Sequence, residues 1–205
     1  MNNNTQLEIQ NIFNKIKNLD IKIDLSDYTY LKNEIKERYL YFIAIKTYTN
    51  DIDNNLFYNI PSLFINLWES HVLYIKNYLE MCNEIKYLLF YDPDTINQQT
   101  TIYKTIPSQQ YDFVIFYNTH IGQLNYKGNG QLTLTVNGSN SCKININSDD
   151  TIQKLIEIIS LNNFFSVKSI LVKYNSIFLH SSRTIQSYNI NNDSIVNVFL
   201  KMIGC

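Results

Sequence analysis

The feature that most constrains this chain is a change of hydrophobic period between Gln131 and Cys205, from two to 3.6 and back to two. Leu132, Leu134 and Val136 alternate with Thr133 and Thr135, which places the aliphatic set on one face of a strand. Asn137-Gly138-Ser139-Asn140 brings turn chemistry, because Gly and Asn accept positive φ at little cost. Cys142, Ile144 and Ile146 then alternate with Lys143 and Asn145, so the two runs predict a β-hairpin. Ser148-Asp149-Asp150-Thr151 offers oxygens to a helix N-terminus, and Ile152, Leu155, Ile156 and Ile159 recur at helical spacing, predicting one apolar stripe laid on the hairpin. Ser169–Val172 and Ile177–Leu179 read as short strands around the turn Asn175-Ser176. A compact turn holds Tyr188 and Ile190, and a last strand from Ile195 to Met202 is expected to bury alternate residues. With that strand placed centrally, the pattern describes an α+β roll, one helix on one sheet face.

Three strings in this region, Asp150-Thr151-Ile152, Arg183-Thr184-Ile185-Gln186-Ser187-Tyr188-Asn189-Ile190 and Ser194 to Lys201, resemble ubiquitin, and the resemblance runs from about Gln131 to the end without a gap. It implies a ubiquitin-like β-grasp domain in which Tyr188 braces a loop through its hydroxyl. It also implies a docking face: the family's apolar patch falls on Asn137, Lys173 and Phe199, of which only Phe199 is apolar. Burying a partner's apolar side chain against the Lys173 ammonium costs desolvation, so altered specificity is expected. The family's conjugated members resemble one another in a Gly-Gly end. Here the tail reads Ile203-Gly204-Cys205, and a thiol-bearing last residue would crowd the channel that activates such tails, so conjugation is not expected.

The upstream chain is read as helices: Leu7–Asn18; a second from a Ser26 or Asp27 cap to Thr49; a third from Pro61-Ser62 to about Cys82; a fourth over Glu84–Phe90; and a last from Ser108 to Ile121, ending at Gly122. The expected fold class is therefore α+β: an N-terminal all-α domain (residues 1–122), a linker (123–130) and a C-terminal ubiquitin-like β-grasp roll (131–205). Within the helices, Trp68, His71, Ile75, Tyr78 and Cys82 recur every three or four residues and predict one shared face. Trp68, His71, Tyr78 and Cys82, together with Pro93, resemble the helical module of plant-type glycine-rich-domain proteins, although Glu69 and Tyr91 stand where that module has histidines and Tyr74 and Ile75 replace its Asp-Thr pair.

His71 and Cys82 suit a metal or a nucleophile, but a tetrahedral site needs four ligands, and on one continuous helix the two would lie about 16 Å apart. They are read as core residues, with no metal, no cofactor and no catalytic role expected. A net charge of −1 gives no attraction for nucleic acid or an anionic membrane. No apolar run approaches the ~20 residues of a spanning helix. Three scattered cysteines and no basic-apolar leader point to a reducing compartment, cytoplasmic or nuclear. The expected function is a non-catalytic adaptor binding a protein partner, such as a ubiquitin-pathway or proteasome component. The alternatives are a modifier conjugated through its C-terminus, and a degenerate metal-binding or enzymatic helical module.

Overall fold

The computed structural model describes residues 3–51, 56–58, 60–89, 91, 111–121, 126–138 and 141–201. By packing, the chain divides into a helical unit, Met1–Asp24 with Asn33–Leu124, and a sheet unit, Leu25–Lys32 with Asn125–Cys205. The eight residues from Leu25 to Lys32, expected within the helical domain, thus pack with the C-terminal sheet unit.

In the helical unit, α1 (Asn3–Ile16) turns Ile9, Phe13 and Ile16 inward, the i, i+4, i+7 set of one helix face. Helix α2 (Lys32–Tyr48) buries Ile35, Tyr39, Phe42 and Ile43 as the spacing predicts. It does not begin at a Ser26 or Asp27 cap, because the backbone before Lys32 is held elsewhere, as described below. A two-residue parallel bridge joins β1 (Phe57–Tyr58) to β2 (Tyr111–Asp112). Phe42 centres an aromatic core, stacked on Phe64 at 5.1 Å and meeting Trp68 and Phe113 edge-on at 5.4 Å. Lys46 is also fully buried there. Its ammonium pairs with Asp51 and sits 5.1 Å from the Trp68 ring, while the other Asp51 oxygen accepts the Leu56 N–H.

The predicted third helix is broken. Helix α3 (Ser62–Leu73) ends and α4 (Ile75–Ile85) begins at Tyr74, whose ψ of 60° is not helical. Ile75, expected inward, is 67% exposed as a result. The fourth helix does not form separately, since Lys86 adopts a left-handed φ of 62° and closes α4. The last helix, α5 (Phe113–His120), is shorter than predicted: Asp112 caps it by accepting the Ile115 N–H at 3.0 Å. Pro93, Gly122, Gly204 and Cys205 lie outside the described residues.

The sheet unit carries the roll. Strands β3 (Leu132–Asn137) and β4 (Cys142–Ile146) form the predicted hairpin, with Leu134 opposite Ile144 and both fully buried. Thr151 caps α6 (Ile152–Asn163) through the Lys154 N–H. Strands β5 (Ile170–Tyr174) and β6 (Ile177–Phe178) meet at Asn175 and Ser176, both at positive φ as a type I′ turn requires. The last strand, β7 (Ile195–Leu200), lies between β3, parallel, and β5, antiparallel, giving the order β4-β3-β7-β5-β6. This is the β-grasp arrangement of an α+β roll. The alternate burial predicted for β7 fades along it: Val196 is buried, Val198 half-buried and Leu200 exposed. The His180 N–H donates to the Tyr188 hydroxyl at 2.7 Å, the loop brace the resemblance implies.

Two further segments complete this unit. The linker Tyr126–Gly130 runs against the β4 edge: Asn145 N–H donates to Lys127 O, and Asn162 both accepts the Tyr126 N–H and donates to its carbonyl. The segment Leu25–Lys32 lies on α6. There Glu157, fully buried, accepts the N–H groups of Thr29, Tyr30 and Leu31 at 2.7, 2.8 and 2.9 Å.

Candidate functional site

Strand alternation gives the sheet two faces, and α6 covers one. The other is formed by Thr133, Thr135 and Asn137 of β3, Ile195, Asn197 and Phe199 of β7, Leu171 and Lys173 of β5, and Phe178 of β6. The three residues predicted as a docking patch therefore share this face. Asn137 pairs with Asn197 in the ladder and donates to its side-chain oxygen at 3.1 Å; Lys173 faces Asn197 from the other side; Phe199 lies opposite Leu171.

The face is not uniform. Its β3 side is a hydrogen-bonded polar surface. Its β5–β6 side is aromatic: Phe178 and Phe199 are 56% and 47% exposed, with ring centroids 6.2 Å apart in an edge-on contact. The Lys173 ammonium lies 5.4 Å from the Phe178 ring. Ile195 is also exposed on this face, but four residues along β7 from Phe199 and opposite Thr135. Sequence reasoning misses Phe178 because Ile177-Phe178-Leu179 reads only as a short apolar strand, with nothing to say which face each residue takes. The turn carries the signal, since a two-residue Asn175-Ser176 loop fixes the register that sets Phe178 beside Lys173.

The helical-module residues form an interior cluster instead. Trp68, His71, Tyr78 and Cys82 are all buried. The break at Tyr74 lets α4 fold back, so the Trp68 indole N–H donates to the Tyr78 hydroxyl at 2.9 Å, and that hydroxyl donates to the Leu89 carbonyl. His71 Nδ1 is 2.9 Å from the Tyr39 hydroxyl, and its ring meets Tyr78 edge-on at 5.0 Å. The straight-helix separation predicted for His71 and Cys82 does not apply across the break, yet both flank Tyr78 in the buried interior. Burial pulls the His71 pKa down to about 4, with Lys36 adding to the fall and Asn77 opposing it, and burial pushes the Cys82 thiol up. Both changes favour the neutral forms. Among the described residues no group of three or more His, Cys, Asp or Glu side chains is placed to hold a metal ion.

Outside that cluster, the α3–α4 corner exposes Leu73, Tyr74, Ile75 and Leu79 beside a surface groove of about 380 Å³. No described helix is long and apolar enough to cross a membrane.

These features define a ubiquitin-like domain attached to a helical region. The family model described as Ubiquitin family matches residues 132–203, so a ubiquitin-like domain is present in the C-terminal part of the chain. No curated protein matches the chain. The matched residues begin beyond α5, and the resemblance of the helical region to glycine-rich-domain proteins is not supported.

Proposed function

We propose that this protein is a non-catalytic adaptor in the cytoplasm whose ubiquitin-like domain binds a protein partner through the open sheet face. The observation that carries this reading is the Phe178–Phe199 pair, two large rings kept exposed and in contact beside Lys173. Exposed aromatics that touch one another make an anchor of the kind that dominates interface energetics. Lys173 adds a charge beside that anchor, so the partner that fits presents an apolar side chain flanked by a carboxylate. Ubiquitin-pathway and proteasome components are the partner class the fold suggests, with neither nucleic acid nor membrane required. The apolar α3–α4 corner is the candidate for a second contact surface in the helical region. The absence of a catalytic role is inferred from His71 and Cys82, both buried and both held neutral.

The test is quantitative capture by the full chain and by a Phe178→Ser/Phe199→Ser chain, followed by reconstitution with each purified partner. Partners that lose at least tenfold in affinity for the variant, with its melting temperature unchanged, support the reading. Purified partners that bind both chains equally exclude this face.

A further inference from the structure

The side of α6 turned away from the sheet is covered by a segment from much earlier in the chain. Every residue from Leu155 to Leu161 is buried, so both sides of this helix are covered, whereas a helix resting on a sheet alone leaves one side wet. Over Glu157 and Ser160 lies the irregular stretch Leu25–Leu31. It begins with a turn in which Tyr28 N–H donates to Leu25 O. It then presents three successive N–H groups to the Glu157 carboxylate, the concave nest arrangement that backbone amides use to hold an anion. Gln153 donates to the Asp27 carbonyl and to Glu157, which orients that carboxylate. Tyr28 is buried with its hydroxyl bonded to Ser160, Asp27 pairs with Lys168 at 2.8 Å, and Tyr30 OH meets Thr151 at 3.0 Å.

We propose that this side of α6 is a peptide-docking slot, distinct from the open sheet face, which takes a tyrosine-bearing turn whose amides enclose Glu157, and that residues 25–31 are its resident, exchangeable occupant. Two properties of the contact favour exchange. The slot holds its occupant through main-chain amides and a carbonyl, the buried side chains of Tyr28 and Leu31, the Tyr30 hydroxyl and one surface ion pair, all of which a separate peptide can supply. The occupant is also irregular backbone that precedes α2 and belongs to no helix or strand, so its release requires no ladder or helix to be broken. A tethered occupant competes at an effective concentration of order mM, so a free peptide enters only when the resident is weakened.

The probe is a synthetic peptide of residues 22–34, offered to the full chain and to its Tyr28→Ala variant. The Tyr28→Ala chain binds the peptide saturably, and the wild-type chain shows no binding at the same concentrations. A peptide carrying the same Tyr28→Ala change binds at least tenfold more weakly, and a Tyr28→Ala/Glu157→Gln chain binds neither peptide. A folded Tyr28→Ala chain that ignores the peptide, or one that takes both peptides equally, overturns the proposal. Should Tyr28→Ala fail to fold, amide exchange in the wild-type chain decides. Thr29, Tyr30 and Leu31 must exchange faster than Leu155–Ile159, and equal protection means that the segment leaves only when the whole unit unfolds, which also overturns it.

Discussion

His71 illustrates how burial sets the chemistry of a single residue. A histidine in water takes a proton near pH 6.5, whereas this one, enclosed among Tyr39, Trp68 and Tyr78, does so at about 4. Between those values the unfolded chain binds a proton that the folded chain does not, so stability increases with pH across the window and falls as pH drops from 6.5 toward 4. The linked loss is of order 3 kcal/mol over the full window. Urea titrations at pH 7, 5.5 and 4.5 will show this fall in the wild type and a flatter profile in His71→Phe, whose baseline is lower because the Tyr39 hydroxyl loses its partner. The inward placement of His71 is legible in its spacing from Trp68. Its partner, Tyr39, is not, because nothing local joins a residue of α2 to one of α3.

At the scale of elements, what can be read in advance is whatever depends on neighbouring residues. The Leu134–Ile144 hairpin, the Thr151 cap and the two-residue turn at Asn175-Ser176 each follow from a few adjacent side chains. The break at Tyr74 is hidden because the three-and-four spacing from Trp68 to Cys82 runs straight through it, with no Pro or Gly between. The burial of α6 from Leu155 to Leu161 is partly visible. Ile152, Leu155, Ile156, Ile158, Ile159 and Leu161 leave little polar circumference, which signals a helix covered on more than one side.

The linker reads as a spacer by composition, yet it shields an edge strand that would otherwise offer unpaired backbone groups. Gly128 makes that possible. Its φ is +74°, and a Cβ there would stand 2.1 Å from the Asn145 carbonyl oxygen. Gly128→Ala is therefore expected to lift the linker from β4, lowering stability by roughly 2 kcal/mol through strain and lost pairing. A reduced melting temperature and faster exchange at Asn145 check it; an unchanged melting temperature means that the close approach is not required.

For the whole molecule, the sheet unit is assembled from two parts of the sequence, residues 25–32 and 125–205. A fragment starting at residue 125 retains the family match but leaves Glu157 without its three amide donors and the Tyr28 site empty. Its urea midpoint is expected to fall below that of the same unit in the full chain, by about 2–4 kcal/mol in stability from the lost ring burial and the lost hydrogen bonds. Equal midpoints would reduce the segment to a passive appendage.

That assembly has a consequence on the ribosome. The Thr29 amide and the Glu157 carboxylate are separated by 128 residues, so at ordinary elongation rates of ~5–20 residues per second the nascent Leu25–Leu31 stretch waits roughly 6 to 26 s before its acceptor has been polymerised. Throughout that delay Tyr28 and its neighbouring amides stand unmatched, available to chaperones or to another nascent copy, and the domain made later gains its full stability only when the stretch made earlier comes back to it.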